Sequence, residues 1–174
     1  MKVGKFLMAF VFSLIFMAGN YASAHRVSNG DEILADMHAN PQNYIYFASA
    51  STGFSFYYYK PSLDVQQYSP PNYIIAARVI DLHVGPGESI WNDSIIKFRY
   101  DYNSRKMWAE TFDNNRILIW KEIDPTKSQN YHDDNWVAAG EVLFYLAYNK
   151  SFFDKPVTEP AKSIANGNPK TFKN

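Results

Sequence analysis

Within Ile95–Tyr102, apolar and charged side chains alternate from Ile96 onward, and this pattern limits the fold more than any other feature of the sequence. One set is Ile96, Phe98, Tyr100 and Tyr102, and the other is Lys97, Arg99 and Asp101. Successive side chains of a strand point to opposite faces, so the pattern predicts a strand with one face against a core and the other in water.

Polar turns predict further strands on both sides of this one. Asn103-Ser104 leads into a β-rich run at 105–112, and 113–115 leads into another at 116–123, which together predict a three-stranded meander. Upstream strands are predicted at 44–50, 53–60 and 73–84. Pro61 and Pro70-Pro71 bracket a polar segment, for which we expect one short edge strand around Leu63 and Val65.

Two helices complete the predicted fold. A short amphipathic helix is expected at 31–38, and a longer one at 136–150 that is apolar almost all round and therefore belongs against a sheet. The predicted class is α+β, with a single antiparallel sheet of about five to seven strands and a C-terminal helix packed on it. Residues 155–174 are polar and rich in proline and lysine, which predicts a disordered tail.

The first 24 residues have the layout of a secretory signal. Lys2 and Lys5 precede the apolar run 6–18, and Ala22-Ser23-Ala24 supplies small residues for cleavage. The apolar run is shorter than the roughly 20 residues that span a bilayer. We therefore expect a single domain at 25–154, secreted or periplasmic or at the cell surface, with no membrane span after cleavage.

Composition narrows the class of partner. Removing residues 1–24 leaves 15 basic and 17 acidic residues, and this slight acidic excess gives no support to nucleic-acid binding. The chain has no cysteine, so its stability must come from packing, and its 13 Tyr, 13 Phe and 4 Trp supply large apolar areas for a core.

Few residues suggest catalysis. Asp81 and His83 share a strand face and could hold a metal ion or form an acid-oriented base, but a zinc site needs a third ligand. Glu110 and Glu122 lie on adjacent predicted strands, as glycoside hydrolysis would require. Neither pair has a spacing specific to an enzyme. No catalytic residue, metal or cofactor is therefore predicted.

The aromatic side chains give the leading functional hypothesis. Tyrosine and tryptophan provide contact area at low entropic cost, so exposed ones could bind a protein or glycan partner. The candidate binding residues are Tyr57, Tyr58, Tyr59, Tyr100, Tyr102 and Trp108.

Four segments carry a resemblance to known proteins. They are FSFYYYKPSLDV at 54–65, PPNYII at 70–75, KFRYDYN at 97–103 and AAGEVLFYLAY at 138–148. The chain resembles uncharacterised small secreted bacterial proteins and, more distantly, the surface-adhesin protein E-like domain. This resemblance implies a bent antiparallel sheet with a helix against it, and host matrix or plasma proteins as partners.

Three functions follow as hypotheses. The first is an exported, non-enzymatic envelope or extracellular protein that binds a protein or glycan through an aromatic sheet surface. The second is a secreted hydrolase or metal-dependent enzyme that uses Asp81 and His83. The third is a structural envelope component that docks on a partner through its C-terminal helix.

Overall fold

A computed structural model describes residues 30–126 and 131–172. The predicted signal peptide at 1–24 and His25 lie outside the described residues. Within them, six antiparallel strands form one sheet in the order of the sequence. The strands are β1 (Tyr44–Ala50), β2 (Phe54–Ser69), β3 (Asn72–His83), β4 (Ser89–Asp101), β5 (Lys106–Phe112) and β6 (Leu118–Ile123). The predicted α+β class with a single antiparallel sheet is confirmed.

In the described part of the chain, three α-helices accompany the sheet, together with a short 3-10 turn at Pro41–Asn43. They are α1 (Gly30–Ala39), α2 (Tyr131–Tyr148) and α3 (Glu159–Ala165). The first two correspond to the predicted helices. The middle of α2, from Val137 to Phe144, is entirely buried, because its apolar side chains pack on the chain's own sheet. The middle of α2 is therefore an internal element of the domain.

The two faces predicted for β4 are confirmed. Phe98 and Tyr100 are fully buried against α2, in a core that includes Ile75, Met107, Leu143 and Phe144. Arg99 faces the other way and lies over the ring of Trp108, with the guanidinium carbon 4.4 Å from the ring centre. A smaller core on that second face joins α1 to the sheet through Ile33, Met37, Tyr57, Ile80 and Leu82.

One strand is longer than the sequence predicts. Instead of a short edge strand between the prolines, β2 runs through Pro61 without a break. β1 pairs with β2 only as far as Tyr59, and the register with β3 shifts between Tyr59 and Asp64. There the backbone N–H of Arg78 donates to the hydroxyl of Ser62 (2.7 Å) rather than to a carbonyl. Proline is tolerated because it lies in a bulge on an outer edge.

The segment predicted to be a disordered tail is folded as far as Phe172. Ala161 and Ile164 on α3 are buried, and Glu141 of α2 accepts hydrogen bonds from the backbone N–H groups of Val157 (2.8 Å) and Thr158 (2.9 Å). The segment is polar overall, but it contains a few apolar side chains that pack in the core. The buried carboxylate of Glu141 fixes the turn before α3.

The same segment closes the outer edge of β1. The N–H of Tyr46 donates to the carbonyl of Lys170 (3.0 Å), and the N–H of Phe172 donates to the carbonyl of Tyr44 (3.2 Å). The Phe172 side chain is 3% exposed and joins the core beneath α1. Pairing at this edge hides backbone groups that would otherwise be open to another strand.

Candidate functional site

Two of the predicted binding tyrosines are core residues. Tyr58 and Tyr100 have no exposed surface, and their hydroxyls donate to the carbonyls of Ala139 and Gly140 in α2, each at 2.9 Å. Burial raises the pKa of both phenols well above the usual value. They hold the helix to the sheet, and a partner cannot reach them in this structure.

The other four predicted residues do not form one surface. Tyr57 is 9% exposed and packs in the core on the α1 face, where Tyr59 also lies. Tyr102 packs with its ring parallel to that of Phe144 beside α2. Trp108 is half-buried on the opposite face of the sheet, under Arg99. The predicted aromatic binding surface is therefore divided between the two faces and the core.

A different site lies where β4 and β5 separate. These strands pair only over Phe98–Asp101, so the rest of β4 runs free of β5 and leaves a cleft of about 340 Å³ beside the first turns of α2. Its lining comes from five strands and α2: Phe47, Phe56, Val79, Asp81, Asn92, Ser94, Ile95, Ile96, Glu110, Asn135, Trp136 and Ala139. A largely apolar cleft with a few convergent polar groups is the usual form of a small-ligand site.

Three polar groups of the cleft, on β3 and β4, are linked by hydrogen bonds. The amide of Asn92 donates to a carboxylate oxygen of Asp81 (3.2 Å) and to the hydroxyl of Ser94 (3.3 Å). Burial raises the pKa of Asp81, and the Asn92 hydrogen bond opposes that effect. Glu110 adds a second carboxylate, which pairs with Lys97 at 3.1 Å. The cleft therefore offers hydroxyl, amide and carboxylate groups within an apolar wall.

A β-bulge places a tryptophan at the mouth of this cleft. Asp81 pairs with Asn92, but the next residue, Leu82, pairs with Ile90, so Trp91 is an extra residue in β4. Ile90 packs on the α1 face and Asn92 lines the cleft on the α2 face. The bulge lets Trp91 join the α2 face, where its ring meets that of Phe54 at 5.6 Å. Trp91 is 73% exposed. Bulges commonly redirect a side chain next to a functional site.

Trp91 belongs to a small group of rings that extends the cleft outward. Phe54 pairs across the strands with His83, and their rings meet at 5.1 Å. The next pair along the same face is Phe56 with Asp81, and both of these residues line the cleft. We call Phe54, His83 and Trp91 the aromatic shelf. The cleft and the shelf are therefore neighbours on one face of the sheet.

The structure separates the members of both predicted catalytic pairs. Asp81 and His83 share a face as expected, but the first lines the cleft and the second supports the shelf. In the parts of the chain that the structure describes, no group of three or more His, Cys, Asp or Glu side chains could hold a metal ion. Glu110 and Glu122 are ion-paired with different lysines, Lys97 (3.1 Å) and Lys106 (3.2 Å).

Sequence reasoning gave no functional role to Asn92, Ser94 and Trp136. Ser94, Asn92 and Asp81 are ordinary polar residues of strands, and only the separation of β4 from β5 gives them a cleft. Trp91 did carry a signal, because it is one of the aromatic side chains that could serve a binding surface and it lies between the strands predicted at 73–84 and 95–102. The bulge that directs it cannot be read from one sequence.

Comparisons with known proteins give no relative for this chain. No family model matches it, and neither a curated protein nor a solved structure does. Among the described residues, no helix has the length and apolar character needed to cross a membrane.

Proposed function

We propose that this chain is an exported, non-enzymatic binding protein of the envelope or extracellular space, and that the cleft with its aromatic shelf receives a protein or glycan partner. The observation that carries the proposal is the cleft itself. Polar groups of Asp81, Asn92 and Ser94 lie together beside the apolar lining residues, and the exposed ring of Trp91 is next to Asn92 on the same face. This arrangement combines orientation by hydrogen bonds with apolar contact area.

Export is inferred from the sequence. The basic residues, apolar run and small residues at 22–24 fit a cleaved signal. The absence of cysteine throughout the chain is compatible with an oxidising compartment, where an unpaired thiol is a liability. Mass spectrometry of the protein purified from an exporting host would test the inference, since we expect an N-terminus at His25. Retention of residues 1–24 would contradict it.

Binding is favoured over catalysis because the carboxylates of the cleft already have partners. Glu110 forms an ion pair with Lys97, and Asp81 accepts the Asn92 amide. Groups held in this way can orient a ligand without exchanging protons with it.

The four tryptophans provide a direct test of the site. Trp136 lines the cleft and Trp91 forms the shelf, whereas Trp108 and Trp120 lie with Arg99 on the opposite face. In ¹⁵N-labelled protein, titration with cello-oligosaccharides, N-acetylated chito-oligosaccharides and uncharged peptides should shift the indole N–H signal of Trp136. The Trp108 signal serves as the internal control, because Trp120 lies directly across from the cleft residue Glu110. If no probe moves Trp136, or if all four signals move together, the cleft is not the binding site.

One observation supports a hydrolase as a second candidate. Asp81 has a raised pKa and shares the cleft with Glu110, and glycosidases use a pair of carboxyl groups, one of which acts as the acid. A hydrolase would release new reducing ends from the same oligosaccharides, and Asp81→Asn would abolish the release. Stable oligosaccharides after prolonged incubation would leave binding as the function.

A further inference from the structure

The strand ends that carry the aromatic shelf are held together before any ligand arrives. Phe54 contacts both His83 and Trp91, and the turns beneath are tied together by a hydrogen bond from the N–H of Val84 to the carbonyl of Gly53 at 2.7 Å. Gly53 has a φ of 86°, and an added Cβ would lie 3.4 Å from the Val84 carbonyl oxygen. A surface ordered in advance loses little conformational entropy on binding.

The exposure of Trp91 is not explained by packing. Its ring is 73% exposed although aromatic side chains bury large areas when they serve a core. The bulge that brings Trp91 to the cleft side leaves this residue of β4 without a paired residue in β3. Exposed apolar groups beside a polar-rimmed cleft mark an interaction site.

The charges and polar groups define the kind of ligand. Two carboxylates, Asp81 and Glu110, disfavour an anionic ligand, and Lys97 is already paired with Glu110. Amide, hydroxyl and carboxylate groups suit a neutral ligand rich in hydroxyls. A sugar has such an edge and also has an apolar C–H face that packs on an indole ring.

We infer that the occupant is a neutral oligosaccharide that is longer than the cleft, with one end held by Asp81, Asn92 and Ser94 and a following ring stacked on Trp91. This inference rests on the proposed function, and it adds the ligand class and a second subsite. A peptide partner is the competing outcome, because the part of β4 that runs free of β5 could pair with an extended chain.

Calorimetric titration with a monosaccharide and a pentasaccharide from each of the two oligosaccharide series tests the inference. Trp91→Ala should weaken pentasaccharide binding about tenfold and leave monosaccharide binding unchanged, because only the longer ligand has a following ring to stack on Trp91. Trp91→Phe should recover part of the loss. Tyr68→Ala, at an aromatic side chain that is 69% exposed near the other end of β2, is the matched control and should change neither affinity. Asn92→Ala should weaken both.

The outcomes separate this inference from the proposed function. Binding of both lengths with no effect of Trp91→Ala overturns the stacking subsite. If uncharged peptides move the Trp136 signal and the oligosaccharides do not, the ligand class is wrong and the cleft remains a binding site. If neither type of probe moves Trp136, both the inference and the proposed function fail. Circular dichroism confirms that each variant is folded.

Discussion

Helix α2 divides the aromatic side chains on one face of the sheet into two groups. Under the helix, Tyr58 and Tyr100 are fully buried and donate hydrogen bonds to its carbonyls. At the end of the same face, Phe54 is half-buried and Trp91 is 73% exposed. The residue types are alike, but coverage by the helix makes the first group structural and leaves the second open to a ligand.

The largest expected difference between the two groups is in stability. Tyr100→Ala should lower the free energy of unfolding by about 3–5 kcal/mol, because it removes a large buried ring. Trp91→Ala should change it by less than about 0.5 kcal/mol, as is usual for exposed positions. Urea unfolding of both variants measures the difference. Equal losses would show that the shelf is part of the core.

The contact between helix and sheet can be tested at Gly140. An added Cβ would lie 2.5 Å from the sulfur of Met107 and 3.2 Å from the ring of Phe98. Alanine favours a helix over glycine by about 1 kcal/mol, but crowding of this kind costs about 1–3 kcal/mol. We expect Gly140→Ala to be destabilising overall in urea unfolding.

Met107→Val provides the control for crowding at Gly140. Because it shortens the side chain that an alanine would meet, Gly140→Ala should cost roughly half as much in this background. A stabilising effect of Gly140→Ala in the parent protein would mean that the helix lies farther from the sheet than the structure shows.

A smaller effect is expected from one hydroxyl group. Tyr58→Phe removes the hydrogen bond to the Ala139 carbonyl and should lower the free energy of unfolding by about 1 kcal/mol. Tyr68→Phe, at a side chain that is 69% exposed, should have almost no effect. Similar values for the two variants would contradict the anchoring role of Tyr58.

The smallest predicted effect concerns pH and the cleft. The pKa of Asp81 is raised in the folded protein, so between the usual carboxyl pKa, about 4, and the raised value the folded state binds more protons than the unfolded chain. The Asp81 contribution is fully present below this window and is lost as pH rises through it. Asp81→Asn should therefore make stability fall less steeply over that range.

Urea unfolding at a series of acidic pH values compares Asp81→Asn with the parent protein. Asp113→Asn is a useful control, because its carboxylate accepts hydrogen bonds in an exposed turn and not in the cleft. An identical pH dependence of the parent and the Asp81→Asn variant would show that the cleft does not perturb Asp81.

Local patterns predicted much of the fold. The alternation in β4 identified its buried face, and the apolar character of 137–144 identified the helix that packs on the sheet. Three consecutive tyrosines at 57–59 had to alternate between faces. Which face is covered by a helix depends on the whole sheet. The two-residue alternation of side chains along a strand therefore could not assign Tyr58 to the core.

The candidate site was much less predictable. Asp81 was named for a shared face with His83, but its present role depends on Asn92, which comes opposite it only through the register of β3 with β4. The shift at Trp91 and the separation of β4 from β5 are tertiary features without a local pattern. The folding of 155–172 was missed because Glu141, in the preceding helix, supplies the acceptors that a polar segment needs.

The closure of β1 by residues 170–172 has a consequence for the order of folding. Neighbouring strands of the meander need only short loops to pair, so we expect them to form first. The contact between Ile45 and Thr171 joins segments separated by most of the described chain, and it should form late. Until then the edge of β1 is open to other molecules, which makes the interval before closure the period of greatest aggregation risk.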